Sequence, residues 1–252
     1  MEDYAAKPIP NLDALRELKK QYRTWEIDIS SSENTEALVD IRSLGIAGTN
    51  HYFSPTNPPY HQHIPGSIEE LLVREGVGAK LVEINKGLKG KGLELFVFDA
   101  LRPLAIQNYF HDEWFPEKLR TLYPEWSEEK IQEEVNQYWA KGSDAGIDPL
   151  SPPPHTTGAA LDLTLKRIGG EPLWMGTIFD DVTKEAHTDL LEKDTEEFSF
   201  TEQEARANRR LLYWTMKQAG FENNPTEWWH FSYGDQMWGT FRSEPARYSI
   251  PN

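Results

Sequence analysis

Apolar and polar residues alternate in two different rhythms along this chain, and each change of rhythm marks an element. Leu12, Leu15 and Leu18 recur at helical spacing behind Asn11, a good helix cap, and Trp25–Ile29 then alternates as a short strand would. Residues 31–65 lose both rhythms. Asn57-Pro-Pro and Pro65-Gly66 punctuate them, and the stretch reads as mostly loop. Ser67-Ile-Glu-Glu70 has the form of a capping box, which predicts a helix carrying Leu71, Leu72, Val77, Leu81, Val82 and Ile84 to about Gly87 or Gly90. Leu93–Leu101 is apolar enough for a central strand, ending at Arg102-Pro103 because proline cannot donate to a ladder. Helices follow at 104–119 and 127–140, the second with Ile131, Val135, Tyr138 and Trp139 on one side and Gly142 just beyond it.

The second half is simpler. Pro152, Pro153 and Pro154 hold the approach to His155 extended, and Leu161, Leu163 and Leu165 then alternate with Asp162 and Thr164, so a strand puts the leucines on one face and Asp162 on the other. Thr201-Glu-Gln-Glu204 is a second capping box, opening a helix through Leu212 and Met216 that stops at Gly220. Residues 228–233 read as a last strand. Helices clustered early and late around three short strands favour an α+β domain with a small, mostly antiparallel sheet surrounded by helices, over a regular βαβ alternation.

At 252 residues the chain suits a single domain spanning 1–252. Apolar content of 38% and aromatic content of 12% indicate a packed globular protein despite a mean hydropathy of -0.66. A formal charge of -15 repels nucleic-acid phosphates and anionic head groups, so no nucleic-acid partner is expected. No run of about 18 apolar residues exists to span a bilayer, so membrane insertion is not expected either. The start Met1-Glu-Asp-Tyr lacks the basic and apolar stretches of a secretory signal, and cysteine is absent. A cytoplasmic location is expected, with a periplasmic or exported one if a leader has been trimmed.

The informative chemistry lies in two segments. His155 and Asp162 in the first, and Glu227 and His230 in Glu227-Trp-Trp-His230, supply three zinc ligands and a spare carboxylate. Fully extended, seven residues would part His155 from Asp162 by about 23 Å at roughly 3.3 Å per residue, whereas ligands of one ion lie within ~4 Å. The chain must therefore reverse between them, and Gly158 can take the backbone angles required. Glu227 and His230 are three apart, which suits a turn at Thr226-Glu227 running into the strand. With His230 on zinc, Glu227 reaches a water acidified by the ion and acts as general base. His155 alone, or Glu-x-x-His alone, is the ordinary stuff of surface loops; Asp162 emerging from an apolar strand, where a bare carboxylate is costly, makes the combination informative. His61 and His63 form a competing pair in a proline-rich loop and read as solvated, while His51, His111 and His187 have no partner at informative spacing.

These residues sit in four blocks that together resemble the zinc D-alanyl-D-alanine dipeptidase family, related to the wider D-Ala-D-Ala metallopeptidase and hedgehog group. His155-x-x-Gly158-x-Ala160-x-Asp162 matches its S-x-H-x-x-G-x-A-x-D block apart from the serine, Met175-Gly-Thr-Ile-Phe-Asp180 its M-G-x-x-F-D, Glu227-Trp-Trp-His230 its E-W-W-H, and Asp99-Ala-Leu-Arg-Pro103 its D-x-x-R-P. The likeness covers most of residues 67–240. It implies one zinc per chain on His155, Asp162 and His230, with Glu227 as base and Arg102 stabilising the tetrahedral intermediate. Asp180 would meet the ammonium group of a small peptide substrate. Asp99 is carried as a substrate-site residue whose alternative task is to fix the Arg102 guanidinium. Pro153 replaces the family serine, and its N-terminal tyrosine has only Tyr22 and Tyr52 as candidates, Ile46 falling at that place in a loose alignment. Residues 1–35 then read as an extension and 112–150 as a helical insertion.

The expected reaction is hydrolysis of D-Ala-D-Ala or a related D-amino-acid dipeptide. A D,D-carboxypeptidase or endopeptidase acting on longer peptidoglycan peptides keeps the chemistry and widens the cleft. A non-catalytic zinc-binding module keeps the metal and has no use for Glu227.

Overall fold

Five short strands drawn from all along the chain make the central sheet, and helices lie against it. The computed structural model describes residues 3–138, 147–193 and 197–251. In chain order the elements are α1 (Asp13–Lys19), β1 (Leu38–Asp40), β2 (Ala47–Gly48), β3 (Leu72–Arg74), α2 (Glu75–Lys89), β4 (Leu93–Asp99), α3 (Leu104–Tyr109), α4 (Phe115–Leu122), α5 (Glu128–Tyr138), β5 (Ala160–Arg167), α6 (Phe200–Gln218), β6 (Glu222–Asn223), β7 (His230–Ser232) and α7 (Gln236–Arg242). The sheet order is β2-β4-β5-β7-β6, and β1 pairs with β3 apart from it. Only β2 and β4 run parallel, so the sheet is mostly antiparallel, as the short strands and long connections imply.

β5 is the spine. Its leucines Leu163 and Leu165 face Val97 and Leu95 of β4, and this apolar side lies under α2 and α6, which bury Val77, Leu81, Leu212 and Met216 in the same core. Each such side chain contributes about 2 kcal/mol by leaving water. Asp162 and Thr164 occupy the other face and are equally buried, so both sides of β5 are covered. No helix among the described residues is long and apolar enough to cross a membrane.

Several local expectations shift. Trp25–Ile29 has no strand partner and makes only an isolated bridge, Ile27 to Ala246. Residues 31–65 contain β1 and β2. The Ser67 hydroxyl donates to the Ile64 (2.6 Å) and Tyr52 (3.2 Å) carbonyls, so it starts no helix; Leu72 and Val73 become strand, and α2 begins at Glu75. A short apolar run satisfies strand and helix equally, and pairing with β1 decides it. The capping box of α6 is Ser199 with Glu202, two residues before the Thr201–Glu204 one. The helix from 104 continues to 122 through a π turn at Phe110–Trp114, and β7 starts at His230. Trp139, Ala140 and Gly142 lie outside the described residues.

Arg74 secures the loop that reaches the sheet's polar face. Wholly buried, its guanidinium donates to the carbonyls of Thr157 (2.8 Å), Asn34 (3.1 Å), Glu36 (2.8 Å) and Ser249 (2.9 Å). Arg74→Met leaves these carbonyls without their donor inside the protein, and a loss of about 3 kcal/mol or more is expected in urea unfolding. A loss below about 1 kcal/mol contradicts this account.

Candidate metal centre

Strand register brings three ionisable side chains into one row. Asp99 of β4 pairs with Asp162 of β5, and Asp162 with His230 of β7, so the three share a face. Asp99 arrives there through a register shift between Val97 and Asp99. Without that bulge, Phe98 would stand opposite Asp162.

His155 comes from outside the sheet, on a 3-10 turn over Pro154–Thr157 that ends at Gly158 with φ +71°. A β-carbon at Gly158 would also come within 2.7 Å of Leu38, so glycine is required twice over. Arg102 N donates to the His155 carbonyl (3.2 Å) and Arg74 N to that of Gly158 (2.8 Å), which pins the turn over the row.

His155 Nδ1 donates to the Ala100 carbonyl at 2.8 Å, which leaves the lone pair of Nε2 aimed at the centre. Nε2 lies 3.1 Å from His230 Nδ1 and 3.4 Å from Asp162 Oδ1, and His230 Nδ1 lies 3.2 Å from that same oxygen. A tetrahedral ion with bonds of about 2.0–2.1 Å has ligand separations of ~3.3–3.4 Å, so the three atoms are spaced as three corners of such a site. Asp162 Oδ1 is buried without a hydrogen-bond partner. Burial pushes the Asp162 pKa up, but the two imidazoles beside it outweigh burial and hold the carboxyl well below the usual range. An ionised, unbonded oxygen between two ring nitrogens fits a cation, and the donor set can hold one metal ion. Among the described residues it is the one group of three or more His, Cys, Asp or Glu side chains converging in this way.

Arg102 borders the centre. Its Nε donates to Asp99 Oδ2 (2.9 Å), and Nη2 to Asp162 Oδ2 (3.0 Å). Asp99 has no exposed surface, and its oxygens also face His155 Nδ1 at 3.4 Å and Asn50 Nδ2 at 3.5 Å. It lies behind the guanidinium. The Arg102 guanidinium in turn sits 4.9 Å from the Tyr52 ring centre, and the Tyr52 hydroxyl donates to Asp180 Oδ2 at 2.6 Å. Tyr60 donates to the same oxygen at 2.8 Å. Asp180 is held with φ +58°, a left-handed conformation that Asp tolerates better than most residues. Burial raises its pKa to about 7, against the opposing pull of Arg102.

Glu227 stands on the other flank, with Oε2 3.7 Å from His230 Nδ1. A turn places it there: Glu227 N donates to the Asn224 carbonyl (3.1 Å), and His230 N to that of Glu227 (3.3 Å). Asn223 Nδ2 donates to the carbonyls of Glu227 (3.1 Å) and His230 (3.0 Å), locking both together.

All seven residues named from the sequence therefore fall in one region, with Asp99 and Asp162 both shut off from solvent. Of the tyrosine candidates, Tyr52 meets Asp180, while Tyr22 is half-buried on the Glu227 side and Ile46 is core. Tyr60, Asn50 and the Ala100 carbonyl escaped sequence reasoning, because a loop tyrosine or a backbone oxygen carries no pattern. His61 and His63 are exposed, and His111 bonds Asp112 (2.7 Å) and Asn136 (2.9 Å) away from the centre.

A model of the M15 peptidases described as D-Ala-D-Ala dipeptidase matches residues 46–248. The chain is 39% identical over 162 residues to a D-alanyl-D-alanine dipeptidase of Synechocystis sp., covering 58% of this chain and 61% of that protein. It is 31% identical over 147 residues to one of Enterococcus faecium, covering 58% and 65%. These matches thus span less than two thirds of the relatives' length. Among solved structures it is similar to "VanYB in complex with D-Alanine-D-Alanine", with 12% identity and a TM-score of 0.40 over 79% of this chain and 92% of that one, too low a likeness to bear on the site.

The ligand triangle predicts uptake of one divalent transition-metal ion per chain, measurable by elemental analysis. At 100 times Kd the ion adds about 2.7 kcal/mol of stability, read as a rise in melting temperature. His155→Ala with His230→Ala is expected to abolish both effects; undiminished uptake in the double variant contradicts the site.

Proposed function

The chain belongs to the D-Ala-D-Ala dipeptidase family of M15 peptidases, and on that premise we propose that it is a zinc-dependent dipeptidase acting on D-Ala-D-Ala or a closely related D-amino-acid dipeptide of peptidoglycan metabolism. The observation that carries this reading is the near-tetrahedral spacing of His155 Nε2, Asp162 Oδ1 and His230 Nδ1 with Glu227 Oε2 3.7 Å beyond. Two imidazoles and one carboxylate suit zinc, and three protein ligands are the catalytic pattern. Bound there, zinc would supply Lewis-acid polarisation of the scissile carbonyl and acidify a water.

The protein's own groups do the rest. Glu227 takes the proton of the attacking water and passes it to the leaving amine nitrogen. Arg102, permanently charged and held by Asp99, offers N–H donors to the oxyanion. Asp99 is a positioning residue in this reading, since it touches the guanidinium and is shut off from solvent. Asp180 binds the substrate ammonium, and the phenols of Tyr52 and Tyr60 on its Oδ2 set its direction. A carboxylate closed in by two tyrosines marks where a substrate's N-terminus ends, which supports a dipeptide over a longer peptidoglycan strand.

Zinc-loaded protein should release free D-Ala from D-Ala-D-Ala and stop when chelated. Glu227→Ala is expected to keep its zinc and lose about 10²–10⁴-fold in kcat; unchanged turnover in that variant excludes the mechanism.

A pH limb follows from Asp180. Its pKa, raised to about 7, leaves the group protonated below that pH and unable to pair with an ammonium. kcat/KM should therefore fall as pH drops through 7, or somewhat lower where the zinc charge favours the carboxylate. Asp180→Asn should flatten this limb. The same limb in the variant assigns it to another group.

A further inference from the structure

α1 lies outside the residues 46–248 that match the family, yet it brings a cation to the edge of the centre. Lys19 ends this helix, and its Nζ donates to Thr226 Oγ1 at 2.8 Å, one residue from Glu227. Among the described residues no carboxylate lies within ion-pair distance, 4 Å, of this ammonium, and it has three N–H groups to place. Burial lowers its pKa while the Glu227 carboxylate pulls it back up. The helix is firmly seated. Leu12 N donates to Asp189 Oδ2 (2.9 Å), Arg16 pairs with Asp189 and donates to the Pro225 carbonyl (3.3 Å), and Leu12 and Leu15 pack against Tyr213 and Trp214.

A free dipeptide carries two charges. Asp180 answers the ammonium, but a carboxylate entering a protein of formal charge -15 needs a cation of its own. Arg102 is held by two aspartates and has the oxyanion to serve, and Arg23 donates to the Ser151 carbonyl at 2.8 Å. A chain of contacts joins Asp180 to Lys19 through Tyr52, Arg102, the ligand triangle, His230, Glu227 and Thr226. In an α-amino acid, one carbon separates the amine from the carboxylate, so the group that protonates the leaving amine must neighbour the group that anchors its carboxylate.

We propose that Lys19 is the substrate-binding residue that takes the C-terminal carboxylate, which makes the N-terminal helix a specificity wall of the site. This rests on the dipeptidase reading above. The preference for a free C-terminus comes from one ammonium–carboxylate pair partly shielded from water, which corresponds to roughly 10- to 100-fold in kcat/KM.

The test compares D-Ala-D-Ala with its C-terminal amide, using zinc-loaded wild type, Lys19→Met, Lys19→Gln and Lys19→Arg. Lys19→Met should lose about 10- to 100-fold in kcat/KM on the free acid, mainly through KM, with the amide unaffected. Lys19→Gln, which retains a donor for Thr226 without the charge, should behave alike even if Lys19→Met folds poorly. Lys19→Arg should restore most of the preference. Equal losses on acid and amide assign Lys19 to the support of Glu227 and overturn the proposal, as does no loss at all in an active enzyme. Wild type inert towards both compounds overturns the dipeptidase reading itself, and the carboxylate anchor with it.

Discussion

Two aspartates and a histidine lie side by side inside this protein, and most of its polar architecture answers that arrangement. Neighbouring strands stand about 4.8 Å apart, so the register Asp99–Asp162–His230 brings two carboxylates together in a region closed to water. Arg102 spans both with one guanidinium and neutralises part of the charge. One oxygen of Asp162 remains without a donor, facing the lone pair of His155. A cation there is the natural complement of an arrangement that is otherwise costly. The same arginine covers Tyr52 and so carries the geometry of the centre outward to Asp180.

The sheet supplies rigid positions for Asp99, Asp162 and His230, but His155 and Asp180 ride on loops, whose carbonyls lack the partners a strand provides. Buried arginines meet that need. Arg74 gathers four carbonyls around the His155 turn, and Arg209 donates to those of Met175 (2.6 Å), His187 (2.7 Å) and Glu185 (2.7 Å) at both ends of the segment bearing Asp180. Burial draws the Arg209 pKa down to about 10, yet the group stays charged at neutral pH. Gly176, with φ +94°, lets the backbone pass close to that guanidinium: a β-carbon there would lie 3.1 Å from Nη2. Each guanidinium ties several loop carbonyls to one buried cation and so restrains the loops that carry His155 and Asp180.

Electrostatics divides the surroundings of the triangle by sign. The Asp180 flank is a carboxyl group under two phenols, while the Glu227 flank is bordered by the Lys19 ammonium. Between them, the cationic Arg102 lies next to the donor triangle. The formal charge of -15 makes such local cations count for more to any approaching anion.

The sequence by itself determined the α+β class, the alternating β5 with its leucines against the core, and the identity of the residues that converge. Those signals are local: period-two alternation is written in consecutive side chains, and short motifs keep Glu227 and His230 at covalently set spacing. It misplaced what depended on distant partners. Leu72 and Val73 became strand only because β1 lies beside them, Trp25–Ile29 found no partner and stayed coil, and the α6 cap moved to the hydroxyl whose geometry closes the box. Only the tertiary structure decided that Asp99 faces Arg102, since a one-residue bulge that leaves no mark in composition swaps it for Phe98. The pairing of Tyr60 with Asp180 and of Lys19 with Thr226 likewise joins residues 120 and 207 positions apart. Pattern along a chain reports how each segment meets water; which atoms finally face each other is set by register and packing between segments that carry no record of one another.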